Sequence, residues 1–365
     1  MKPDLDRKSR LILITFLLLA CCRISFAADT YTVIEIKGAA NNSSLGRHAD
    51  NLANIVVGSS GLTHGSDTHA FVWTAEQGML NLGTLPGGEY SEGFAVNDSG
   101  VVVGDSNGGK SVHAFVWTHK GGIQDLGTLA GDNASRAFSI NNSREIVGYS
   151  SGSRGVRAVI WSKHARIHSL GTLPGGDMSQ AYAINNAGDV VGVSSSSSGK
   201  HAFLWNRRSG MVDLGTLPGD VSSEALRINQ AGHVVGTSMG LGAIHAFLWS
   251  KEAGMEDIGS LAGSSFSQAL DVNSSQEVVG ASQTSLGSRA FIWTRKSGMR
   301  DLNSLISPTL DVVLTSALRI NDRGQIVAIG GFHHDLARDR QTDMDDEMHA
   351  GPTHVFLLTP SGGLR

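Results

Sequence analysis

Residues 180–219 read QAYAINNAGDVVGVSSSSSGKHAFLWNRRSGMVDLGTLPG, and four short apolar segments stand out between turn signals. Gln180–Ile184 reads as a first strand, and Asn185-Asn186-Ala187-Gly188 as a tight turn whose last residue tolerates positive φ. Asp189–Ser194 follows as a second strand, then a Ser/Gly-rich loop to Lys200. His201–Trp205 is a third strand and Met211–Leu217 a fourth, closed by Pro218-Gly219. The segments are rich in Val, Ile, Phe and Trp and keep no helical period, which is the pattern of short strands.

Working outward, the same unit recurs with a fixed period. All six tryptophans, Trp73, Trp117, Trp161, Trp205, Trp249 and Trp293, stand 44 residues apart, and a seventh unit arrives late at His354–Leu358. Four strands in some 40–45 residues is the size of one propeller blade. Second strands ending at Gly58, Gly104, Gly148, Gly192, Gly236, Gly280 and, more loosely, Ala328 count seven units, with the first inner strand degenerate at Leu45–Asp50.

The runner-up is an open β-solenoid, and the two ends of the chain argue against it. The seventh unit stops after its third strand, because Leu358 is followed only by Thr-Pro-Ser-Gly-Gly-Leu-Arg. Tyr31–Ile36 is an apolar strand with no unit of its own. If it completes the last blade, the ring closes and hides both sheet edges; a solenoid would need polar caps instead. The expected fold is therefore all-β, a seven-bladed propeller of four-stranded blades over residues 28–365.

Three motifs recur in register: His-Ala-Phe-aromatic units, Leu-Gly-Thr-Leu-Pro-Gly-Gly at 82–88 and 170–176, and Ile-Asn-x-x-Gly-x-Val-Val-Gly at 184–192 and 228–236. Together they resemble the HAF family of extracellular repeats over nearly all of the chain. The resemblance implies export but no reaction or ligand. Arg157 and Arg289 depart from the pattern where other units carry His, as does the seventh unit.

The first residues fit export. Lys2, Arg7, Lys8 and Arg10 precede an apolar run from Leu11 to Cys22, and Ser25-Phe26-Ala27 offers small residues at both positions a signal peptidase reads. Residues 1–27 are expected to be a signal peptide; Leu18–Cys21 loosely resembles a lipobox, which makes lipid anchoring the alternative. The run is too short to cross a bilayer as a helix, and no second long apolar stretch follows. Both cysteines, Cys21 and Cys22, lie in that leader, so stability is expected from packing rather than disulfides. A formal net charge of −4 with no Lys/Arg cluster argues against nucleic acid and anionic membranes as partners.

Groups that recur in every unit read as structural. The tryptophans are expected to pack between blades, and His69, His113, His201 and His245 to tie neighbouring strands or blades by hydrogen bonds. Propeller geometry puts the connections between blades on the same face as the loops between second and third strands. Four carboxylates fall at nearly one offset in those connections, Glu89, Asp132, Asp177 and Asp220, and would form a negative mouth for cations or a polyhydroxylated ligand if they converge. Acidic residues also favour exposed turns with no further role.

One insertion breaks the symmetry, residues 331–353 of the last blade. It carries His333, His334, Asp335, Asp343, Asp345, Asp346, Glu347 and His349, a set rich in metal-ligand types at a spacing that matches no familiar loop. Whether it binds metal or is only a solvated loop is open. Of the set, His333, His334, Asp335 and His349 join the four acids as candidate ligand contacts.

Searches for a nucleophile elbow, a phosphate loop or a zinc helix find nothing. The expectation is a monomeric binding or scaffold module without a cofactor, presenting its loop face to an extracellular glycan or surface protein. The alternative is a polysaccharide hydrolase or lyase using acids at the mouth.

Overall fold

The computed structural model describes residues 30–36, 50–52, 55–61, 68–109, 111–163, 166–261, 264–333 and 354–362. The leader at 1–27, most of the first inner strand expected at 45–50, and the insertion residues His334, Asp335, Asp343, Asp345, Asp346, Glu347 and His349 lie outside them.

Among the described residues twenty-eight strands form seven four-stranded antiparallel sheets arranged as a ring, a seven-bladed β-propeller. The fourth blade shows the plan. β14 (Ser179–Ile184) is innermost, followed by β15 (Val190–Ser196), β16 (Gly199–Asn206) and β17 (Gly210–Asp213) at the rim. Asn185 and Gly188 close the first hairpin, with the Gly188 N–H donating to the Asn185 carbonyl at 3.1 Å and Gly188 at φ +83°.

The last blade joins both ends of the chain. β26 (Val312–Ile320), β27 (Ile326–Phe332) and β28 (His354–Pro360) are completed by β1 (Tyr31–Glu35), which pairs antiparallel with β28 from Tyr31↔Pro360 to Glu35↔Phe356. The Ile36 N–H continues the ladder to Val355 O at 2.8 Å. Val56 and Phe71 of the first blade pack against Leu318, Val327, Val355 and Leu357 of the seventh, and the ring is shut.

Burial between blades supplies the driving force. Phe115, Phe203, Phe247, Phe291 and Phe356 are completely buried, each stabilising by about 2–3 kcal/mol. Trp205 lies against Ile160, Leu170 and Leu173 of the preceding blade, so the repeated tryptophan is an interblade packing group.

Two sets of buried polar residues stitch neighbouring blades. The hydroxyls of Ser91, Ser135, Ser179, Ser223 and Ser267 accept from the N–H of Ala70, Ala114, Ala158, Ala202 and Ala246 in the blade before. Each also donates to a glycine carbonyl at the end of that blade. On the opposite face, Nδ2 of Asn97 donates to the carbonyl of Asn141, and Asn141, Asn185, Asn229 and Asn273 pass the pattern on to Asn321. The asparagines read as turn formers thus also belt the ring, because their side chains reach the next blade.

Strand limits differ from expectation in two ways. The fourth strand of the unit at 180–219 ends at Asp213 rather than Leu217, because the Asp213 carboxylate turns the chain by accepting from the Gly215 N–H at 2.8 Å. The second strands do not end at their glycines but run on to residues such as Ser196. Gly192 instead sits beside an irregularity in β14 between Ala181 and Ala183, where a Cβ would stand 1.9 Å from the Gln180 carbonyl oxygen.

Candidate functional site

Tracing the histidines first removes them from consideration as ligands. Asn81 Nδ2 lies 3.0 Å from His69 Nδ1, and the Nδ1 atoms of His113 and His201 lie 2.8 Å from carboxylate oxygens of Asp125 and Asp213, so each ties a third strand to its fourth. His245 Nδ1 is 3.1 Å from Asp220 Oδ2, and His354 Nδ1 is 2.7 Å from Glu35 Oε1 across the seam.

Three of the four connection acids hold local side-chain partners. Asp132 is 4% exposed at its side chain and accepts from Ser150 Oγ at 2.7 Å, with Arg154 Nη2 4.0 Å away. Asp220, also 4% exposed, faces His245. Asp177 is exposed and accepts from Ser195 Oγ at 2.9 Å, while Glu89 is exposed with its N–H on Asn107 Oδ1. His333 is exposed, and its backbone N–H points to Asp311 O at 3.4 Å. Among the described residues no three His, Cys, Asp or Glu side chains are grouped to hold a metal.

A different set of residues converges where the inner strands leave the turn-rich face. Asp105, in the strand Val102–Gly108, has no exposed surface, although its counterparts in other blades, Ser59, Tyr149, Val193, Thr237, Ala281 and Ile329, carry no charge. Arg136 reaches it from the inner strand of the third blade, Asp132–Ile140, with Nε 2.7 Å from Asp105 Oδ2. The charges pair, but the alignment leaves both carboxylate oxygens without a hydrogen-bond donor among the described residues. Burial pushes the Asp105 carboxyl up to about 7 and Glu92 adds to the rise, while the Arg136 guanidinium pulls the other way.

Glu92 occupies the facing position on the inner strand Ser91–Val96, and the Tyr90 hydroxyl bonds to it. Burial and the nearby carboxylates raise Tyr90 well above the usual phenol range. Tyr149 is raised by burial and by Asp105, and Tyr182 by burial and by Glu224, whose own carboxyl burial pushes upward. The Tyr182 hydroxyl donates to Gln180 Oε1 at 2.8 Å. Beneath these polar groups lie aromatic rings: Phe138 is 5.3 Å from Phe94, 5.8 Å from Tyr149 and 5.7 Å from Tyr182, centroid to centroid.

Sequence reasoning missed this cluster because it looked for what the units share. Glu92, Arg136, Gln180, Glu224 and Gln268 occupy one register position on five inner strands, between a serine and a small residue that do repeat. Variation at one position within otherwise constant surroundings was the available signal.

No family model matches the chain, and no curated protein matches it. Solved structures do resemble it. A streptogramin B lyase aligns over 91% of this chain and 98% of that one at TM-score 0.56 and 9% identity. Oligogalacturonate lyase from Vibrio parahaemolyticus aligns over the same shares at TM-score 0.57 and 9% identity, and an oligogalacturonate lyase in complex with manganese over 91% and 96% at 0.55 and 10%. TolB from Acinetobacter baumannii is matched over 68% of this chain and only 63% of its own, at TM-score 0.49 and 12% identity. At these identities the likeness establishes the propeller fold alone. No helix among the described residues is long and apolar enough to cross a membrane.

Proposed function

We propose that this protein is an exported propeller that works as a binding module, taking its ligand at the channel mouth on the turn-rich face. The observation that carries the reading is the break in symmetry there. A scaffold built only to stand would repeat an apolar or neutral residue at the position of Asp105, since a buried carboxylate without hydrogen-bond donors costs several kcal/mol. Polar groups kept at such a cost next to the part-exposed rings of Phe138 and Tyr182 mark a ligand site. The leader and the HAF-like units support export and an extracytoplasmic partner.

Hydrogen–deuterium exchange tests this directly. Titrated with soluble polysaccharides, uronate oligomers and peptides, the inner strands at 91–96, 132–140 and 179–184 become protected. Protection confined to the opposite face, or to the blade rims, refutes a site at the mouth.

A further inference from the structure

The mouth has a floor, a wall and a charge balance, and each narrows the class of ligand. Phe138 and Tyr182 are part-exposed rings in edge contact, 63° apart in plane, on an inner strand each of the third and fourth blades. Aromatic surface kept partly in water gains most by covering the apolar C–H face of a flat, otherwise polar molecule. The wall is made of planar groups with paired donors or acceptors: the Arg136 guanidinium, the Glu92 carboxylate and the Gln180 amide. Such forks match two neighbouring hydroxyls of one ring.

Asp105 lies behind this wall rather than in it. It has no exposed surface, whereas the Arg136 side chain is 36% exposed, so Arg136 meets the ligand and Asp105 holds it in place. The charges then exclude one class. Glu92 and Asp105 lie beside Arg136, and Glu224, two blades on, lies near Lys200, so three carboxylates stand against two cations. An anionic ligand would face more carboxylates than cations and lose on entry.

We propose that the mouth between the second, third and fourth blades is a subsite for a neutral pyranose of a glycan, seated on Phe138 and Tyr182 with neighbouring hydroxyls held by Arg136 and Glu92. The proposal rests on the reading of the mouth as the binding site. Asp105 is a positioning residue for Arg136.

The test is a calorimetric titration of the full chain with neutral gluco-, manno-, galacto- and xylo-oligosaccharides, uronate oligomers and unrelated peptides, paired with hydrogen exchange of the inner strands. At least one neutral oligosaccharide is expected to bind and protect 132–140 and 179–184. Arg136→Gln and Phe138→Leu each weaken it by about 10-fold or more, whereas Glu252→Gln, on the opposite face, changes it by less than about 2-fold. Phe138→Leu is used because it keeps an apolar side chain if Phe138→Ala fails to fold. Asp105→Asn weakens binding at pH 8 and flattens its pH profile between about 6 and 8, a readout that loss of packing would not move. Protection of the mouth by uronates or peptides but not by neutral sugars overturns the pyranose assignment and leaves the mouth as the site. Neutral sugars that bind with protection elsewhere, or no neutral sugar binding at millimolar concentration, overturn it too; failure of every class to protect the inner strands removes the mouth reading with it.

Discussion

Arg136 places Nε 2.7 Å from Oδ2 of Asp105 across the boundary between the second and third blades, joining the inner strand of one to the second strand of the other. Repeated serines and asparagines join neighbouring blades all round the ring, whereas this ion pair occurs at a position that the other blades fill with Ser59, Tyr149, Val193, Thr237, Ala281 or Ile329. It is bound to the chemistry of the surrounding carboxylate and phenols, and its stability therefore depends on pH.

The native Asp105 carboxyl is pushed up to about 7, above its ordinary value of 3.8, so the folded state holds a proton that the unfolded state releases. The sign follows: stability contributed by this group is full below about pH 4 and is lost as pH rises through about 7. The groups facing it, Glu92, Tyr90, Arg136 and Tyr149, stay in place in Asp105→Asn, which removes only the ionisation. Asp105→Asn is expected to raise Tm by several degrees at pH 8 and by little at about pH 4, measured by calorimetry. An equal shift at both pH values would contradict the assignment.

The buried serines predict a uniform cost around the ring. Ser179→Ala leaves the Ala158 N–H and the Gly171 carbonyl without their partner in a dry interface, a loss of about 1–3 kcal/mol. Ser223→Ala, at the equivalent joint, should cost the same within error. Ser198→Ala, in an exposed loop, should cost less than about 0.5 kcal/mol in the same urea titration.

Glycines of two kinds should separate cleanly. Gly192→Ala forces a methyl group to within 1.9 Å of Gln180 O, so the inner strand must move, costing about 3 kcal/mol. Gly210→Ala meets nothing within 4 Å and bears only the strain of φ +68°, about 1 kcal/mol. Thermal unfolding of the two variants side by side measures the difference.

The seam gives a fourth expectation. Alternation along the ladder from Ile36, whose N–H bonds Val355 O, puts the Ile34 N–H on Leu357. Ile34→Pro removes that donor and should lower stability by about 1–3 kcal/mol and expose β28 to limited proteolysis. Ile34→Thr, at a side chain already 55% exposed, should do neither.

How much of this could be read in the chain follows from where the information sits. The tryptophan period, the strand pattern of 180–219 and the orphan segment at 31–36 are local or periodic, and they led to seven blades and to the seam. The histidines expected to tie neighbouring strands or blades meet Asn81, Asp125 and Asp213 on the adjacent strand, while His245 reaches back to Asp220. The serine and asparagine links were in plain sight at fixed spacing, but a polar residue beside a glycine looks like a turn until the adjacent blade is present to receive its side chain. The mouth was hidden for a different reason. Arg136 meets Asp105 because two positions that vary from blade to blade are both charged here; the irregularity beside Arg136, between Ala137 and Ser139, recurs in the neighbouring inner strands and does not single the pair out. The acids Glu89 and Asp177, chosen for their common offset, instead lie exposed on their turns.

Because β1 fills the outer place in the last blade, a strand made before the first blade is needed by one made after the sixth. Blades one to six can assemble in order as the nascent chain lengthens, but β28 keeps a bare edge until Pro360 has left the ribosome and can find Tyr31. Closure of the ring is thereby deferred until the seventh blade has been made, and a chain cut before β28 lacks the strand on which β1 docks.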